Sequence, residues 1–218
     1  MSELQSILRL QTWLSPAFPT GAFAYSSGLE TAAHMGLVSD QEQLTDWLID
    51  VTTSGQGWND AVLLAESWRL IEAGSDVSEV TELAEALSFS KERHLETMRQ
   101  GEAFLKAAKA WNAGTNLLAS CPLPVAVGAV AASLQVPLDK TLAAYLHAYV
   151  SNQIQAALRL IKLGQQGGVE VLVALESVII ETAEKACKSG LDQLGSSGFL
   201  ADVVSMKHEM QESRIFKS

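Results

Sequence analysis

Cysteine is almost absent, with two residues in 218, Cys121 and Cys187. Two thiols cannot staple a disulfide scaffold, and they suit a reducing compartment. Basic residues are short as well: 15 Lys and Arg against 25 Asp and Glu leave a formal net charge of −10. No Lys/Arg cluster offsets that balance, so neither nucleic-acid phosphates nor an anionic membrane surface is an expected partner. Charged residues are only 18% of the chain and apolar residues 48%, which excludes a disordered polymer.

Recognisable chemistry is missing too. The histidines His34, His94, His147 and His208 include no pair at i, i+3 or i, i+4, and no Cys-x-x-Cys occurs, so no helix-borne metal site is expected. There is no G-x-x-x-x-G-K-[ST] loop and no G-x-S-x-G elbow, and no cofactor is expected. The start, Met1 to Gln5, lacks the basic and apolar regions of a signal peptide, which predicts a soluble cytoplasmic protein. The most apolar stretch, Pro122 to Leu138, holds three prolines and is mostly Ala and Val, so it predicts a buried helix rather than a membrane span.

Helical periodicity fills the rest. Leu44, Trp47, Leu48 and Val51 recur at i, i+3, i+4, i+7, as do Ala61, Leu64, Ala65 and Trp68. Ser39 to Glu42 has the form of a capping box. Longer helices are expected over about 91–112, 139–163 and 169–188, with Gly164 to Gly168 as a connector between the last two. The expectation is an all-α single globular bundle of about ten helices, one domain over 1–218. Glu66, Glu92, Glu96 and Glu102 read as a solvated helix face, and Cys121 and Cys187 as small buried groups.

Two segments depart from this pattern. In Leu14 to Glu30, two prolines and a glycine stiffen a loop that carries Phe18, Phe23 and Tyr25, many aromatics for an idle turn. The tail, Ser205 to Ser218, follows the polar Gly195–Gly198 loop and sets Met210, Ile215 and Phe216 among Lys207, His208, Glu209 and Arg214. Apolar residues separated by charges suit a segment that orders against a partner. Glu30 is the charged residue of the first segment and a candidate polar contact.

The chain resembles the urease accessory protein UreF family. The resemblance is carried by Ser15-Pro16-Ala17-Phe18-Pro19-Thr20-Gly21-Ala22-Phe23-Ala24-Tyr25-Ser26-Ser27-Gly28-Leu29-Glu30, by Gln100 to Leu105, by Gln155 to Gln165, and by Ser205 to Glu209 with Ser213 to Ser218. It implies a non-catalytic all-α protein that dimerises and joins a scaffold protein (UreD/UreH) and a GTPase (UreG) to deliver nickel to apo-urease. On that resemblance Phe18, Phe23, Tyr25, Glu30, Lys207, His208, Glu209, Met210, Arg214, Ile215 and Phe216 are the candidate partner-binding residues. A rival from another class is a helical enzyme or small-molecule binder whose site is assembled only in the fold. A third is a GTPase activator using Arg93, Arg99, Arg159 or Arg214 as its finger.

Overall fold

A computed structural model describes residues 2–112, 119–195 and 198–218. Eleven α-helices and three short 3-10 turns make up its regular structure, and among the described residues there is no strand. The helices are α1 (Glu3–Trp13), α2 (Leu29–His34), α3 (Gln41–Thr53), α4 (Gln56–Glu72), α5 (Ser78–Ala86), α6 (Lys91–Ala108), α7 (Leu123–Ser133), α8 (Leu138–Leu160), α9 (Gln165–Ala174), α10 (Glu176–Ala186) and α11 (Phe199–His208). The expected all-α class holds. Among the described residues no helix is long and apolar enough to cross a membrane.

The centre is the seam between α4 and α7. Residues 124–132 of α7 are all buried, because Ala, Val and Gly present apolar surface on every side. Small side chains let the helices approach closely. A Cβ added at Gly128 would lie 2.3 Å from the Leu64 carbonyl oxygen, and one at Gly101 of α6 would lie 1.9 Å from that of Cys121. Both positions therefore exclude any larger residue. The long α8 packs on α4 and α10, and α3 closes the side formed with α9 and α10. Arg69 on α4 donates to the carbonyls of Ala186, Cys187 and Ser189, tying the end of α10 to the seam.

Four local expectations are corrected. Asp40, not Ser39, caps α3: its carboxylate accepts from the Gln43 amide at 2.9 Å, while the Gln43 side chain reaches back to Ser39. The helix expected over 169–188 breaks at Leu175, which is fully buried and turns the chain between α9 and α10. Gln165 to Gly168 form the first turn of α9 rather than a connector. Finally, α6 stops at Ala108, and a 3-10 turn directs Trp111 into an aromatic cluster with Trp13, Phe18 and Phe104. Of the Gly195–Gly198 loop, residues 196–197 lie outside the described residues.

Candidate functional site

The two singled-out segments, 186 positions apart in places, meet. The loop ends in α2, and the tail after α11 lies across α2 and the start of α6. The Lys217 amide donates to the Ala24 carbonyl, and the Ser26 amide donates to the Ser218 main-chain oxygen, both within 2.9 Å. The tail is thus sewn to the loop by its own backbone.

Carboxylates do the rest. Glu30, on α2, accepts from the Ile215 amide at 2.6 Å through Oε1 and from the Phe216 amide at 2.9 Å through Oε2. Burial pushes its carboxyl up, but those amides and His208 outweigh burial and hold it below the ordinary carboxylate range. His208, at the end of α11, places Nδ1 2.6 Å from Glu92 Oε2 and Nε2 3.2 Å from Glu30 Oε2. Arg214 donates to the other oxygen of Glu92. Glu96, one turn along α6, accepts from Ser218 Oγ at 2.7 Å and from Ser27 Oγ at 3.2 Å. The guanidinium of Arg159 sits 4.6 Å above the Phe216 ring, a cation–π contact.

Below this knot lies a second polar group. Arg93 Nη2 donates to both carboxylate oxygens of Asp60 at 2.8 and 3.0 Å, Arg93 Nη1 donates to Glu96 at 3.2 Å, and the Tyr145 hydroxyl donates to Asp60 at 2.9 Å. Burial works against the charge on Arg93, and Asp60 with Glu96 outweighs it, so the guanidinium stays charged. These groups line a pocket with Trp13, Tyr25 and Gln153. Its charges are spent on one another, a pairing that locks α4, α6 and α8 together. Cys121, also buried, has its thiol pushed up to about 12 by that burial.

The candidate contact residues accordingly split into two sets. Phe18 packs on Phe104 and Trp111, Phe216 is 4% exposed, Glu30 is 4% exposed and His208 is fully buried. These four are buried within the chain's own fold. Both nitrogens of His208 face carboxylate oxygens. Among the described residues no His, Cys, Asp and Glu cluster is spaced to hold a metal ion. Outward-facing are Phe23, Lys207, Glu209, Met210, Arg214 and Ile215, with Tyr25 half-buried. Phe23, Met210 and Ile215 are 72%, 85% and 55% exposed. Leu200, Val203 and Met206 continue this exposed apolar surface along α11.

Glu92 and Glu96 correct the solvated-face expectation, since both turn inward to the tail and its helix. Asp60 and Arg93 were also invisible as a pair: they sit 33 positions apart on different helices. The sole local hint was the Arg93–Glu96 spacing of three, which every surface ion pair shares. Of the finger arginines, Arg93 is consumed in this network, whereas Arg99 and Arg159 stand on the outside.

The family model UreF matches residues 38–176. Urease accessory protein UreF 1 of Brucella anthropi is 52% identical over 215 residues, spanning 98% of this chain and 94% of the relative. Urease accessory protein UreF of Brucella ovis is 53% identical over the same shares. That of Mesorhizobium japonicum is 51% identical, over 98% of this chain and 96% of its own.

Proposed function

The chain belongs to the UreF family of urease accessory proteins, and from that premise we propose that it serves urease maturation as a non-enzymatic cytoplasmic binding protein. As one domain over 1–218, it joins a UreD/UreH-like scaffold, a UreG-like GTPase and apo-urease, so that nickel delivery follows GTP hydrolysis. A protein without chemistry of its own acts by binding one state of its client better than another, since only differential affinity shifts an equilibrium. The observation that carries this reading is the docked tail. Its buried side fixes the backbone, and its outer side holds Met210, Ile215 and Arg214 in place beside the Phe23 loop. Apolar anchors ordered in advance bind without a large entropic cost.

Self-association belongs to the same reading. Leu4, Ile7 and Leu8 of α1 are exposed, and Ile7 lines a groove of about 600 Å³ with Leu10, Ala143, Ala144 and His147. Such an apolar face suits a second copy.

The test is co-purification of the tagged chain with apo-urease and its accessory proteins. The double variant Met210→Ser/Ile215→Ser should lose the scaffold partner while melting like wild type. Equal recovery of that partner by both proteins overturns the assignment of the tail face.

A further inference from the structure

We propose that the groove between α6 and the docked tail binds a short acidic segment of a partner protein, gripping its carboxylates with Arg99 and Lys217. This rests on the reading of the tail as a partner-binding face and names the chemistry of one partner. The groove, of about 330 Å³, is lined by Tyr25, Leu95, Arg99, Arg214, Phe216 and Lys217. That volume lies at the lower end of the range of ligand clefts.

Its one carboxylate among the described residues, Glu92, is already spent. One oxygen accepts from Arg214, and the other faces His208 Nδ1 at 2.6 Å. Arg99 and Lys217 are exposed, and among the described residues neither side chain has a hydrogen-bond or ion-pair partner. Arg214 gives one guanidinium nitrogen to Glu92 and keeps further donors. The docked tail builds this arrangement. The Phe216 amide donates to Glu30 at 2.9 Å and the Lys217 amide to the Ala24 carbonyl at 2.8 Å, which fixes the backbone that carries the Lys217 side chain beside α6.

The groove thus gathers unpaired positive charge in a chain whose formal net charge is −10. A cleft lined by one sign of charge focuses the local field and attracts the opposite sign. The rest of the molecule decides which anion fits. A nucleic acid or an anionic membrane extends far beyond the groove, where the acidic remainder of the chain repels it. A short run of Asp and Glu neutralises the groove and ends there. The planar forks of Arg99 and Arg214 match carboxylates. Leu95, 37% exposed, gives an apolar residue between the acids a place to pack.

Fluorescence anisotropy of a labelled Asp-Glu-Leu-Glu-Asp peptide with the full chain reads the binding, and a neutral Asn-Gln-Leu-Gln-Asn peptide is its control. The acidic peptide should bind at least about tenfold tighter and weaken about tenfold between about 50 mM and about 300 mM NaCl. Arg99→Ala/Lys217→Ala should lose at least about tenfold in affinity. Lys162→Ala/Lys188→Ala removes the same charge from exposed positions outside the groove and should stay within about twofold. Arg214 is kept, because its bond to Glu92 helps hold the tail. No difference between the two peptides, absence of binding included, overturns the proposal. So does an equal loss in the two double variants. Met210→Ser/Ile215→Ser leaves both cations in place and should bind the peptide like wild type, so failure of the tail-face reading in co-purification and failure here give different results.

Discussion

The α4–α7 seam and the tail knot hold this molecule in opposite ways. In the seam, contact is made by Ala, Val, Leu and Gly, and its tolerance is set by van der Waals distance. In the knot, contact is made by Glu30, Glu92, Glu96 and His208, and its tolerance is set by whether each buried polar atom finds a partner. The first rests on close apolar packing. The second depends on charge, since Glu30, held below the ordinary carboxylate range, loses its hold on the tail amides as pH falls.

Substitutions can break this contrast in order of size. Replacing Gly101 or Gly128 by Ala should cost about 4 kcal/mol of stability in a thermal melt, although Gly→Ala inside a helix ordinarily gains about 1 kcal/mol. The sign reverses because the new methyl meets a main-chain oxygen that cannot move aside. Phe216→Ala should come next, at about 3 kcal/mol, removing a buried ring and its contact with Arg159. Its effect should appear as faster exchange of the tail before any change in the seam. Glu30→Gln keeps the shape but loses the charge and one of the two acceptors for the tail amides, about 2 kcal/mol confined to the knot. Ile215→Ser should change folding by less than about 0.5 kcal/mol, since the side chain is largely exposed, and should lower partner capture instead. Equal losses from Glu30→Gln in seam and knot would erase the distinction between the two regions.

The two regions also differed in how far sequence alone revealed them. The seam was legible: the apolar run from Pro122 to Leu138 and the spacing of Ala61, Leu64 and Ala65 are local signals, and they became α7 and α4. The tail and the Pro16–Glu30 loop were recognisable as unusual, but their roles were only half visible. Whether Phe216 points in or out depends on Glu30, 186 positions away, and no periodicity carries that distance. Glu92 and Glu96 looked like surface charges because their partners come from the far end of the chain. The break at Leu175 was hidden for a related reason: helix propensity continues through it, and only packing against the core turns the chain. The missed cap at Asp40 was the mildest error, one residue along a Ser-Asp pair in which both can cap.

The tail is built into the chain's own fold through Glu30 rather than hanging loose. Exchange of the Ile215, Phe216 and Lys217 amides in the isolated chain near neutral pH tests it directly. Docking predicts that all three are slowed well below their intrinsic rates and that Glu30→Gln, which leaves one acceptor oxygen for two amides, speeds exchange at Ile215 or Phe216. Exchange of these amides at the intrinsic rate in the wild-type chain would contradict the account.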